Sequence, residues 1–343
     1  MVLRRCANQA GVSMPLLTND ELRNMLIQAA SAPKAANDFF GRFPYVSELV
    51  GGHYSAAFDH GFALLHHCQE VAPEAYAKIH KGTPFYWLGT AAFLKHDYET
   101  AVFFYDAAVS EDLNIGADPI SNSTPALRFI QIEGTQPEQA ARPLVEATQK
   151  RLELAICDYN SLPGRPGTVP ALQLSEVRSC FLRRAVSPGG GPLRTLATAF
   201  ISFLLEWDYM SALATLRTSE GTTEPFFIHL FKGCLLFESL LKANPKNRPK
   251  NGLTLGPVLQ HLCSDLGTPH DIKIGKGIDF PTILASLPTS GDSISIAIEY
   301  AGKIRNTVGH DLGWKASLNT ATYDSLAAKV ASACLHAISC LYR

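Results

Sequence analysis

Near the end of the chain, an arginine and a histidine lie five positions apart, at Arg305 and His310 in the segment IRNTVGH. Arginine is a permanent cation with planar donors, and histidine exchanges a proton near neutral pH. Phosphodiester cleavage in RNA needs both, because the attacking 2′-hydroxyl loses a proton, the leaving 5′-oxygen gains one, and the phosphate accumulates negative charge. The pair therefore supplies the two residue types that such a reaction needs, with His310 able to move protons and Arg305 able to stabilise charge. Asn306 can hold a phosphate oxygen or orient the histidine ring.

The two side chains need a break in the helix to meet. Five residues of ideal α-helix turn through roughly 500°, which leaves Arg305 and His310 about 140° apart. Gly309 allows the helix to end there and the chain to turn His310 back. A purely structural reading stays open, because an arginine near a helix C-terminus compensates the helix dipole and glycine is a common C-cap.

The elements that carry these residues have the pattern of helices. Hydrophobic spacing is helical almost throughout and strand-like alternation is scarce, so the sequence predicts an all-α fold. In the last third, the pattern predicts helices at about 225–243, 255–266, 292–308 and 320–342, with Asp292 as the N-cap of the third. Breakers at residues 219–221 favour a boundary between a domain at 14–220 and a domain at 221–343.

The composition excludes several classes of protein. The chain has 343 residues, of which 46% are hydrophobic and 18% charged, and its net charge of -1 gives no overall field for nucleic acid or membrane. Its 8 cysteines form no Cys-x2-Cys pair, and no apolar run reaches the roughly 18 residues of a membrane span. These features predict a cytoplasmic protein with no metal, no other cofactor and no membrane partner.

Charge is distributed unevenly along the chain. Residues 222–343 hold 12 Lys/Arg and 9 Asp/Glu, a net charge of +3, against −4 for the remainder. Lys246, Arg248 and Lys250 follow the first predicted helix of this region and can bind an RNA backbone, although short basic loops are usually just solvated.

The N-terminal half contains a pattern of small and aromatic residues that predicts a tight helical hairpin. Gly89 and Ala101 are twelve positions apart and Ala108 follows seven later. Small residues at these positions let two antiparallel helices approach closely, with Phe85, Leu88 and Tyr105 filling the groove between them. The pattern resembles one tetratricopeptide (TPR) repeat over about 28 residues, without the closing proline and without a clear second copy.

The last third resembles the HEPN family of small four-helix bundles. The resemblance lies in the Arg305–His310 motif at the end of an apolar helix that carries Tyr300, and in the pattern Gly233-x3-Phe237-Glu238-x-Leu240-Leu241-Lys242 on the first helix. It implies metal-free RNA cleavage by the motif arginine and histidine at a homodimer interface, and a role in defence against phage, in stress or in toxin–antitoxin control. Glu238 is then a candidate partner for Arg305 across the bundle, or a helix-pairing partner for Lys242.

Three hypotheses follow from these patterns. The first is an endoribonuclease that acts on RNA as a homodimer. Its N-terminal part would sense a signal or restrain the nuclease, and a protein partner or antitoxin is a further candidate for binding. The second is a non-catalytic HEPN-like and TPR-like scaffold for dimerisation and partner binding. The third is a peptide-binding adaptor that uses the aromatic residues Phe85, Tyr86, Trp87 and Tyr105. A metal site at His53, His60 and His67 has little support, because no cysteine or carboxylate pattern accompanies them.

Overall fold

The structure is a computed structural model that describes residues 17–31, 39–118, 124–133, 142–165, 170–187, 189–216, 222–244, 254–275, 278–309 and 318–343. These residues form helices and no strand, which confirms the predicted all-α fold. None of the helices in this part of the chain is long and apolar enough to cross a membrane. Contacts divide the chain into two compact units, Met1–Leu144 and Val145–Arg343.

The first unit is built from helices that pair mainly with their neighbours in sequence. They are α1 (Asn19–Ser31), α2 (Tyr45–Val50), α3 (Tyr54–Val71), α4 (Pro73–Lys78), α5 (Gly82–Leu94), α6 (Tyr98–Asn114) and α7 (Pro125–Gln131). Helices α5 and α6 form the most extensive pair, and α3 packs against both α2 and α5.

The predicted tight hairpin is present in the first unit as α5 and α6. A Cβ atom on Gly89 would lie 3.1 Å from the carbonyl oxygen of Ala101 and 3.2 Å from the ring of Tyr105. Asp97 caps α6 by accepting a hydrogen bond from the backbone N–H of Thr100 at 3.2 Å. Small residues therefore set the distance between these two helices, as their spacing predicts.

The second unit is built from helices of 3 to 26 residues. They are α8 (Arg142–Ser161), which begins just before the division, α9 (Leu174–Val177), α10 (Arg183–Ala185), α11 (Gly191–Leu216), α12 (Glu224–Ala243), α13 (Leu255–Leu266), α14 (Phe280–Ser286), α15 (Ile294–Val308) and α16 (Thr320–Leu341). Helix α12 packs against α11, α13, α15 and α16, so it lies at the centre of this bundle. The predicted domain boundary at residue 221 lies inside the unit, between the packed helices α11 and α12.

Four of these helices correspond closely to the predictions from hydrophobic spacing. Helix α13 has the predicted bounds, and α12, α15 and α16 differ from theirs by one or two residues at an end. The predicted N-cap Asp292 is wrong, because the side chain of Ser293 caps α15 by accepting from the N–H of Ile296 at 3.3 Å. Asp292 pairs instead with Lys329. Helix α14 lies between the second and third of these predicted helices, where the hydrophobic spacing predicts no helix.

Two buried histidines tie together helices of the second unit through the same bonding pattern. His229 donates from Nε2 to the carbonyl oxygen of Phe203 at 2.9 Å and accepts at Nδ1 from the hydroxyl of Tyr323 at 2.8 Å. His336 donates to the carbonyl of Leu266 at 2.8 Å and accepts from the hydroxyl of Tyr159 at 3.1 Å. Burial lowers the pKa of His229 to about 4 and also lowers the pKa of His336. Both imidazoles are therefore neutral structural groups at pH 7.

The neutral state of His229 predicts a pH-dependent stability. An unfolded histidine titrates near pH 6.5, and His229 in the fold titrates near 4, so between these values the unfolded chain binds more protons. The free energy of unfolding should therefore fall as the pH falls from 6.5 to 4, by roughly 3 kcal/mol from this group. Urea unfolding followed by circular dichroism at several pH values measures the slope.

The matched variants are His229→Gln, which keeps a donor and an acceptor but cannot titrate in this range, and His270→Gln at an exposed position. The first should make the dependence on pH less steep, leaving the share that His336 contributes, and the second should leave the slope as in wild type. Equal slopes for wild type and His229→Gln would contradict the assignment.

Candidate functional site

The side chain of Arg305 is held by a buried carboxylate on the neighbouring helix. Arg305 lies in the last turn of α15, and its Nε and Nη2 donate to the two carboxylate oxygens of Glu238 on α12, at 2.6 and 3.5 Å. Glu238 is only 4% exposed. This two-point contact fixes the plane of the guanidinium, which a single bond would leave free to rotate.

Lys242 adds a second cation to the same carboxylate. Its ammonium donates to Oε1 of Glu238 from one helical turn further along α12. Burial of Glu238 alone would raise the pKa of its carboxyl, but the hydrogen bonds from Lys242 and Arg305 outweigh burial and hold that pKa below its usual value. The sequence suggested these two cations as alternative partners of Glu238, and the structure contains both pairs.

Asn306 links Arg305 to the backbone of the segment before α14. Its amide nitrogen donates to the carbonyl oxygens of Ile274 and Gly275, at 3.2 and 3.0 Å. Its Oδ1 accepts from Nη1 of Arg305 at 3.3 Å. Both amide hydrogens are therefore used on the backbone, and Asn306 acts here by positioning Arg305. The predicted direct contact of Asn306 with a phosphate oxygen remains a prediction that would require these bonds to exchange.

The segment before α14 lies against α15 because of small and hydroxyl side chains. A Cβ atom on Gly302 would come within 2.5 Å of the side chain of Ile274, so only glycine allows this close approach. The hydroxyl of Thr307 donates to the carbonyl of Ile278 at 2.8 Å. Together with the hydrogen bonds of Asn306, these contacts fix the segment before α14 against α15, which also packs against α12.

Gly309 ends α15 without adopting the conformation that glycine alone favours. Its φ and ψ are −63° and −12°, in the right-handed helical region, and its N–H donates to the carbonyl of Arg305 at 3.2 Å. A Cβ atom would lie 3.0 Å from that carbonyl oxygen and 3.5 Å from the ring of Phe231. The predicted helix end is present, but Gly309 provides no left-handed turn, and a Cβ at this position would make only an ordinary contact with Phe231 on α12.

The remaining predicted site residues lie outside the part of the chain that the structure describes. They are His310, Lys246, Arg248 and Lys250. The structure therefore brings together Arg305, Asn306 and Glu238, with Gly309 one turn beyond Arg305. It adds Lys242, whose signal in the sequence was its position four residues after Glu238.

The other candidate groups from the sequence have structural contacts. His60 bonds the buried carboxylate of Glu48 at 2.8 Å, and the described residues contain no group of three side chains suited to a metal ion. Of the aromatic residues suggested as a peptide-binding groove, Tyr86 and Tyr105 are buried, and the centroid of the Tyr105 ring lies 4.3 Å from that of Phe129. These two tyrosines are core residues, which weakens the hypothesis of an aromatic peptide groove.

Comparison with protein family models, with curated proteins and with solved structures finds no match to this chain.

Replacing Glu238 with alanine should destabilise the second unit, because it leaves Arg305 and Lys242 without their shared anion. We expect the free energy of unfolding to fall by about 1.5 to 3 kcal/mol at pH 7, the range for hydrogen bonds to charged groups. Urea unfolding of wild type and variant measures this loss. Because the folded pKa of Glu238 is lowered, its contribution is present above the unfolded value and disappears as the pH falls through the folded value.

The control is Glu299→Ala, which removes the acidic member of another Glu–Lys pair four residues apart, with Lys303. The side chain of Glu299 is 30% exposed, against 5% for Glu238, so this pair should contribute less than about 0.5 kcal/mol. Equal losses for the two variants would show that Glu238 makes no special contribution.

Proposed function

We propose that the protein is a metal-independent endoribonuclease of the HEPN type, with Arg305 and His310 as its catalytic residues. The observation that carries the proposal is the orientation of Arg305, whose guanidinium is clamped by Glu238 and Asn306 while its side chain stays 29% exposed. A pre-oriented arginine stabilises a developing negative charge without having to reorganise during the reaction.

The reaction requires two proton transfers. A neutral His310 accepts the proton of the 2′-hydroxyl while the 2′-oxygen forms a bond to phosphorus and the bond from phosphorus to the 5′-oxygen breaks. The partner subunit's His310, in its protonated form, donates a proton to the leaving 5′-oxygen, which produces a 2′,3′-cyclic phosphate and a 5′-hydroxyl. An ordinary histidine pKa of about 6.5 suits both roles. Arg305 binds the phosphate oxygens as charge accumulates on them.

An apolar stripe next to the motif supports a dimeric site. Ile228, Phe231 and Leu235 lie on one face of α12 at spacings of three and four residues, and the first and last are 50% and 40% exposed. We call these three residues the α12 stripe. The ring of Phe231 lies against Gly309, so a second copy seated on the α12 stripe would approach the end of the helix that carries the motif.

The same stripe supports the second candidate function, a HEPN-like scaffold that dimerises without cleaving RNA. Basic residues after α12, Lys246, Arg248 and Lys250, favour the nuclease, since they would add contacts to an RNA backbone. We further propose a defence or toxin–antitoxin role, with the N-terminal part of the chain sensing a signal or restraining the nuclease.

Cleavage of a mixed RNA substrate in EDTA tests the catalytic assignment. Arg305→Ala and His310→Ala should each lower the rate by at least about 100-fold, because one loses charge stabilisation and the other proton transfer. The products should carry 2′,3′-cyclic phosphate ends. Matched controls are Arg343→Ala, an arginine paired with Glu176, and His270→Ala at an exposed position. Cleavage that survives in both catalytic variants would refute the assignment, and a dimer without cleavage would favour the scaffold.

A charge placed on the α12 stripe tests the dimer. Ile228→Glu should convert a dimeric wild-type protein to a monomer and abolish cleavage, because it buries an unpaired carboxylate in the interface. Leu154→Glu is the control, since Leu154 is exposed to a similar degree, 48% against 50%, on α8. Light scattering coupled to size exclusion measures the mass of each form. A monomeric wild type, or a dimer that tolerates Ile228→Glu, would contradict the proposed interface.

A further inference from the structure

The cluster around Glu238 presents a net positive charge to solvent. One carboxylate pairs with two cations, Lys242 and Arg305, so the three groups together carry one unit of positive charge. The side chain of Glu238 is 5% exposed, whereas those of Lys242 and Arg305 are 33% and 29% exposed. Solvent, or a ligand, therefore meets the two cations and not the anion that holds them.

The two cations are close enough to bind one small anion. Lys242 Nζ lies 2.5 Å and Arg305 Nη2 lies 3.5 Å from the same oxygen of Glu238, so the two nitrogens are at most 6.0 Å apart, the sum of those distances. Each also has donors to spare, since an ammonium has three N–H bonds and a guanidinium five. Among the described residues, Glu238 takes one from Lys242, and Glu238 and Asn306 take three from Arg305.

An ordinary helix pair has a different charge balance. On α15, Lys303 pairs with Glu299 four residues before it, and these two charges cancel. Lys242 has the same spacing from Glu238, but Arg305 already occupies that carboxylate from another helix. A buried carboxylate shared in this way acts as a spacer that sets the separation of two cations.

We propose that Lys242 and Arg305 bind the same phosphate of a single-stranded RNA, with Glu238 holding the two cations at the separation that the phosphate requires. Lys242, which lies on α12, is then the second phosphate-binding residue of the site, beside Arg305 on α15. The identity of the ligand as RNA rests on the proposed function, whereas the convergence of two cations on one carboxylate does not.

Binding of a fluorescent, single-stranded 2′-O-methyl RNA to the full chain tests this proposal without any cleavage, because the attacking hydroxyl is blocked. Fluorescence anisotropy over a range of salt concentrations gives the affinity and its salt dependence. Lys242→Ala and Arg305→Ala should each weaken binding by roughly threefold to tenfold, and Lys242→Arg should restore it. In the double variant, the slope of log K against log salt should shrink by about 0.7, the contribution of one phosphate on a single strand.

Lys303→Ala is the matched control, because it removes the same charge from another Glu–Lys pair with the same spacing in the second unit. The proposal is overturned if Lys242→Ala binds the probe as Lys303→Ala does, or if wild type does not bind the probe at low salt. A slope reduced by about 1.4 in the double variant would also overturn it, since that value indicates two separate phosphates.

These outcomes separate the two proposals. Wild type that cleaves RNA while Lys242→Ala binds the probe normally would leave the nuclease standing and remove Lys242 from the site. Weakened probe binding in both single variants, with no cleavage by wild type, would support the shared phosphate site and remove the nuclease.

Discussion

The burial of the Glu238 carboxylate is the constraint on which the candidate site depends. A carboxylate removed from water is costly unless donors replace the lost hydration, and two cations supply them here. One cation, Lys242, comes from the same helix as Glu238, and the other, Arg305, comes from α15. The hydrogen bonds that stabilise the Glu238 carboxylate therefore also join α12 to α15 and orient Arg305. A bundle with an apolar residue in place of Glu238 could pack as well, but it would not specify where the guanidinium points.

Close approach of backbone and side chains supports this arrangement. A Cβ atom on Gly233 would come within 2.4 Å of the ring of Phe203, and one on Gly302 within 2.5 Å of Ile274. Gly233 lets α12 pack closely against Phe203 of α11, and Gly302 lets the segment before α14 lie close to α15. Two side chains thus hold Arg305. One is the carboxylate of Glu238 on α12, and the other is Asn306, which itself bonds the backbone of the segment before α14.

The sequence predicts local features of this molecule better than long-range ones. Helix α13 has the predicted bounds because an apolar stripe and Gly267, at a φ of +59°, mark its course and its end. Hydrophobic spacing does not predict helix α14, although Asp279 caps it by accepting from the N–H of Thr282 and Pro281 lies in its first turn. A short helix gives too little periodicity for spacing to identify it, so its capping residues were the usable signal.

Long-range relations could not be derived in the same way. Breakers at residues 219–221 mark an interruption of the chain, yet α11 and α12 on either side pack together, because a loop composition says nothing about which helices meet afterwards. Spacing likewise identified Lys242 as a neighbour of Glu238 and motif resemblance suggested Arg305. That one carboxylate accepts from both depends on how α12 and α15 cross, which no local pattern encodes.

The two buried histidines of the second unit serve the fold and are unsuited to proton transfer. His229 and His336 each donate one ring nitrogen to a carbonyl and accept from a tyrosine at the other, and burial lowers the pKa of both. Such a ring has no free nitrogen and resists protonation at neutral pH, so it can serve neither as base nor as acid. The residues that hold the bundle together therefore cannot also perform the proton transfers. In the mechanism that we propose, the proton transfers therefore fall to a histidine outside this hydrogen-bonded core, and in the sequence His310 follows directly after the end of the helix that carries Arg305.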